Sequence, residues 1–106
     1  MQNKDIQSFI EKKKKEPITW SQKNRIREIL GCGCFKVDTF NQYEAYKFIK
    51  HYVDVVLRTP NNTRHSWTFA MYTVLCLEGK DKMIELLSLK PEEVIEHGNK
   101  IRPDIY

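Results

Sequence analysis

TFNQYEAYKFIKHYVDVVL, Thr39 to Leu57, is the stretch that decides the fold. Ala45, Phe48, Ile49, Tyr52, Val53 and Val56 recur at the i, i+3, i+4 spacing of residues sharing one face of a helix. Tyr43, Tyr46, Val55 and Leu57 widen that apolar surface, which predicts a helix touching several neighbours. The stretch opens on Thr39-Phe40-Asn41-Gln42, and the same pattern stands 20 residues earlier as Thr19-Trp20-Ser21-Gln22. In such a box the threonine hydroxyl accepts from a free backbone N–H of the first turn while the glutamine reaches back to the threonine N–H. Two boxes predict two helices, Thr19 to Leu30 and Asn41 to about Leu57, with Gly31 placed for a left-handed cap between them.

Outward from this pair, Ile6, Phe9 and Ile10 share one side of a helix from Asn3 to about Lys15, which ends before Pro17. The connection Gly31 to Asp38 holds the alternating pair Phe35 and Val37, room for a short strand or hairpin near residues 33–38. Thr59-Pro60-Asn61-Asn62 reads as a turn, and Asn61-Asn62-Thr63 as a surface loop. Ser66 to Glu78 fits both a helix and a strand face, and its length favours a helix capped by Ser66. Asp81 is placed to cap a short helix from Lys82 to Leu87. Pro91, Glu92 and Glu93 open a last helix closing near His97-Gly98. The expected fold is all-α, a compact bundle of five or six short helices in a single domain over residues 1–106, with 1–4 and 102–106 as loose ends.

The chain has 106 residues and a net charge of +4, with a mean hydropathy of −0.59. Its charge is uneven: residues 1–58 carry 12 Lys/Arg against 7 Asp/Glu, and residues 59–106 carry 6 against 7. The basic half favours a polyanionic partner or an acidic protein face. Three cysteines, an odd number, and no apolar leader after Met1 point to reduced thiols in a cytoplasmic protein. The longest apolar stretch, Phe69 to Leu77, is far short of the ~20 residues that span a bilayer.

Thiolate and imidazole are the preferred ligands of zinc, so Cys32 and Cys34 with Cys76 and His51 make the alternative to a metal-free chain. The spacing opposes it. The pair is C-x-C where structural sites use C-x₂₋₄-C, and Cys76, His51, His65 and His97 are scattered singly. Buried small thiols are the simpler reading, with Cys76 in the core. Cys34 with His51 is the one pairing that would suit nucleophilic catalysis, and no paired carboxylates or phosphate loop accompany it. His97 reads as a residue favoured by a helix C-terminus, and His65-Ser66 as part of a cap. The expectation is a non-enzyme without cofactors.

The functional lead is basic: Lys12, Lys13, Lys14 and Lys15, then Lys23, Arg25 and Arg27, then Lys36, Lys47, Lys50 and Arg58. Lys23 with Arg27 and Lys47 with Lys50 are helix-face neighbours, ridges that phosphates would match. Tyr43, Tyr46 or Trp20 beside them could stack on unpaired bases if exposed. Core aromatics beside a solvated charged face are the competing reading.

Pro17 to Val53 resembles a short helical module of small phage and mobile-element proteins, written T-x-x-Q-x-x-x-I-x-x-x-L and then T-x-x-E/Q-A. Thr19, Gln22, Ile26 and Leu30 carry the first half; Thr39, Glu44, Ala45, Phe48 and Ile49 carry the second with a two-residue shift. The Gly31-Cys32-Gly33-Cys34 link lies outside the pattern. The resemblance implies an accessory role in phage or plasmid biology and transfers no functional residue. Together these readings point to a small basic binding protein that contacts nucleic acid or an acidic face of a nucleic-acid-processing protein, such as an inhibitor of a host defence nuclease. No membrane partner is expected, and a homo-oligomer is compatible with the exposed aromatics. The alternative is a zinc-stabilised interaction module.

Overall fold

A computed structural model describes residues 3–31 and 35–102. Among them run six α-helices: α1 (Asn3–Lys14), α2 (Trp20–Leu30), α3 (Gln42–Asp54), α4 (Asn61–Leu77), α5 (Lys80–Glu85) and α6 (Pro91–Ile101). Single 3₁₀ turns at Phe35–Thr39, Val56–Arg58 and Leu86–Ser88 link or extend them. The chain is an all-α bundle.

The first capping box forms as written. Thr19 Oγ1 accepts from the Gln22 N–H and Gln22 Oε1 accepts from the Thr19 N–H, both at 3.1 Å. Gly31 closes α2 at φ 67, its N–H donating to the Arg27 carbonyl at 2.9 Å, a left-handed geometry that glycine adopts without steric cost.

The second box shifts by two residues. Asn41, not Thr39, caps α3: Asn41 Oδ1 accepts from the Glu44 N–H at 2.8 Å, and Glu44 Oε1 accepts from the Asn41 N–H at 2.9 Å. Two backbone bonds hold the approach to the helix, from Ile18 N–H to the Phe40 carbonyl and from Gln42 N–H to the Glu16 carbonyl, so helical geometry starts only at Gln42. Thr39 belongs to the preceding 3₁₀ turn, its hydroxyl donating to the Lys36 carbonyl at 2.6 Å. That turn also replaces the strand expected near residues 33–38. Val37 and Phe40 are both buried, three residues apart on one side as a 3₁₀ turn places them, and the Pro17–Asn41 bridge is the one β-type pairing among the described residues.

Three other boundaries move. α4 begins at Asn61, directly after Pro60 at φ −59, so the turn cluster and the Asn61-Asn62-Thr63 triplet open a helix, and His65 and Ser66 lie inside it. Asp81 sits in the first turn of α5, after Gly79 rather than as its cap. α6 continues past His97-Gly98 to Ile101. Of the ends expected to be loose, Asn3 and Lys4 open α1 and Arg102 follows α6.

The core is centred on α4, which buries Trp67, Ala70, Met71, Val74 and Leu75. Phe48 lies against Trp67 at 5.6 Å between ring centroids. α6 packs along α4 so closely that a Cβ on Gly98 would stand 2.6 Å from the Ala70 Cβ. α3 touches α1, α2 and α5, as expected of it, but buries fully only Ala45 and Phe48. Cys76 is half-buried, not a core residue. α1 lies against α3 and contributes nothing to the buried core.

Candidate functional site

Of the eleven cations singled out in the sequence, Arg58 ends the 3₁₀ turn after α3 and the other ten separate into two groups. Four are structural ties. Lys23 Nζ and Arg27 Nη2 converge on Asp38 Oδ1, at 3.4 and 3.0 Å, and join α2 to the 3₁₀ turn. Arg25 pairs with Glu28 at 3.7 Å along its own helix. Lys36 Nζ donates to the Leu75 and Cys76 carbonyls, at 3.3 and 2.7 Å, where a cation meets the negative end of the α4 dipole.

The other six gather around α1 and α3. Lys14 Nζ lies 5.4 Å and Lys47 Nζ 5.5 Å from the centroid of the Tyr43 ring, in cation–π contact with one aromatic. Lys14 is also 3.7 Å from Glu11. Lys13 reaches Glu16 at 3.4 Å and Gln42 at 3.2 Å. Lys50 pairs with Asp54 at 2.8 Å, and that hydrogen bond raises the lysine pKa and lowers the carboxyl pKa. No carboxylate among the described residues pairs with Lys12, Lys15 or Lys47; Lys12 and Lys15 line the far side of α1 with Gln7, Ser8 and Glu11.

A cleft of about 510 Å³ opens between α1 and the α2–α3 corner, lined chiefly by Ile6, Phe9, Ile10, Tyr43 and Tyr46, with Lys13, Gln22 and Gln42 at its polar edge. Phe9 is 61% exposed, Tyr46 55% and Ile6 44%. This apolar track was missed as a site. Its spacing was visible in the sequence, but an apolar face that short reads as core until its partner is known. Trp20, 75% exposed, lies outside the cleft lining. Tyr46 also lines a neighbouring cleft with Lys47, His51, Val55, Ile84 and Leu87, so the apolar surface continues past α1.

The histidines are dispersed. His51 is half-buried with its ring 6.0 Å from that of Trp67, and burial pushes its pKa down against the opposing pull of Asp54. His97 Nε2 contacts Glu78 Oε1, a link between α6 and the end of α4. Among the described residues no group of three or more His, Cys, Asp or Glu side chains lies together to hold a metal. Cys32 and Cys34, on which the zinc and Cys34–His51 readings depend, lie outside the described residues. Among those residues no helix is long and apolar enough to cross a membrane. Compared with protein-family models, curated proteins and solved structures, the chain has no match.

Proposed function

We propose that this chain is a small non-enzymatic binding protein of phage or mobile-element type, whose basic α1–α3 face meets a polyanionic partner: nucleic acid or the acidic face of a nucleic-acid-processing protein. The observation that carries the reading is the placement of Lys14 and Lys47 over one Tyr43 ring. Two ammonium groups from helices far apart in sequence thereby approach one ring without a shared carboxylate, while Lys12 and Lys15 carry charge with no carboxylate partner among the described residues on the other side of α1. Cations held at a surface with few carboxylates to answer them leave a positive potential that an anionic surface complements. Lys23, Arg27 and Lys36 are instead engaged across elements, by Asp38 and by the last carbonyls of α4. Blocking a channel or a loading step needs only such a complementary surface, so an inhibitor of a host defence nuclease fits this class.

The test is capture from host lysate, split into nuclease-treated and untreated halves, with wild-type bait and a Lys13→Glu/Lys14→Glu/Lys47→Glu variant of the same helicity. The wild type is expected to retain material that the variant loses in both halves or in the untreated half alone. Equal retention by the variant places the working surface elsewhere and refutes the reading. If the partner is a single strand, neutralising about three phosphates gives a slope near −2 for log K against log salt.

A further inference from the structure

Resting on that reading, we propose that the cleft between α1 and α3 is the seat of an amphipathic helix with acidic flanks, supplied by a partner protein. The α1 residues that line the cleft run from Ile6 to Lys13, about 11 Å of track, roughly two turns of a second helix. Exposed apolar residues aligned in this way mark an interaction surface when polar groups border them; here the border holds Lys13 with Gln22 and Gln42, and Lys14 and Lys47 approach the Tyr43 ring of the same lining. A helix carrying apolar residues at i, i+3, i+4 and i+7 would lay them against Ile6, Phe9, Ile10 and Tyr46. Its flanking carboxylates would then come beside Lys13, Lys14 and Lys47. Glu16 and Glu11 are the carboxylates already present there, each engaged with a lysine of α1. Lys47 has none among the described residues.

Other occupants match less of this surface. Unpaired bases take flat aromatic platforms beside a phosphate-binding groove, yet Ile6 and Ile10 offer neither, and the Tyr43 ring already carries two ammonium groups. A second copy of the chain would bring the same lysines to the same cleft, a juxtaposition of like charge that disfavours docking.

The experiment titrates the isotopically labelled full chain with a synthetic amphipathic peptide of about 14 residues bearing leucines in one stripe and glutamates beside it. A peptide with lysine in place of glutamate and an oligothymidylate serve as the comparisons, all followed by amide chemical shifts. The acidic peptide is expected to bind in the micromolar range, moving resonances of Ile6 to Lys14 and Tyr43 to Lys47, with the lysine peptide at least about tenfold weaker. Phe9→Ala should weaken the acidic peptide by at least about tenfold without changing helicity, and Tyr46→Ala gives a second variant on the opposite wall. Binding of the oligonucleotide alone overturns this inference and leaves the polyanion reading standing. Binding of neither probe overturns this inference, while the polyanion reading is decided separately by the lysate capture with the lysine variant. Self-association abolished by Phe9→Ala would make a second copy the occupant and likewise overturn it.

Discussion

Two helix pairs in this bundle end in opposite states. α4 and α6 close on each other until Gly98 meets Ala70, and α4 buries Trp67 entirely. α1 lies on α3 with Phe9 61% exposed, and at the adjoining start of α2 Trp20 is 75% exposed. Two things separate the regions. α1 has three apolar residues in twelve against nine in seventeen for α4, and α4 packs against α2, α5 and α6 while its Trp67 meets Phe48, His51 and Tyr52 of α3, whereas the apolar side of α1 has one neighbouring wall. The first pair is where stability resides, and the second is where a partner has room to bind.

Truncating the two tryptophans sharpens that contrast most. Trp67→Ala should cost about 4 kcal/mol by urea unfolding, and since Trp67 Nε1 has no hydrogen-bond partner among the described residues, the loss is one of packing. Trp20→Ala should change stability by no more than about 0.5 kcal/mol. Comparable losses at the two sites would erase the distinction. Gly98→Ala comes next: its Cβ would sit 2.6 Å from Ala70 Cβ and 2.9 Å from Ala70 Cα. Separating the two helices should cost about 2 kcal/mol, outweighing the ~1 kcal/mol by which alanine is the better helix former. Combining it with Ala70→Gly should recover part of the loss. A strictly additive double mutant would mean that the two backbones do not press on each other.

The caps show how far sequence could be read. Thr19 and Gln22, Gly31, and Pro91 at the head of α6 were legible because each signal is complete within a few residues. At α3 two boxes overlap in the same letters, Thr39-x-x-Gln42 and Asn41-x-x-Glu44, and the choice was made from outside by the bonds that Glu16 and Ile18 make to Gln42 and Phe40. Asn41→Ala should therefore cost about 1 kcal/mol and Thr39→Ala distinctly less; the reverse order would restore the box read from the sequence. The same dependence on distant residues divided the cations. Nothing in the spacing of Lys23 and Arg27 showed that Asp38 would hold both, and nothing in Ile6, Phe9 and Ile10 showed that their helix would have one wall. Local chemistry was readable, but which face remains open depends on what packs from afar.

His51 sits where the two regions meet, its ring near Trp67 and its edge in the cleft shared with Tyr46 and Lys47. Burial holds its pKa below the ordinary histidine value, with Asp54 partly offsetting the shift. The unfolded chain therefore binds a proton more readily than the folded one. The resulting stability is complete above about pH 6.5, falls as pH drops below that value, and levels off beneath the folded pKa. Asp54 is shifted in the same direction, downward, by its bond to Lys50, so its contribution too is lost on acidification, but only in the more acid carboxylate range. Melting of the wild type between pH 7 and 5, set against His51→Gln, isolates the histidine. The wild type should lose more of its melting temperature across that interval than the variant does, whereas parallel curves would mean that the seam tolerates the charge. Because the other histidines are common to both proteins, the difference reports on this position alone, and it is the smallest effect by which the buried and open halves can be told apart.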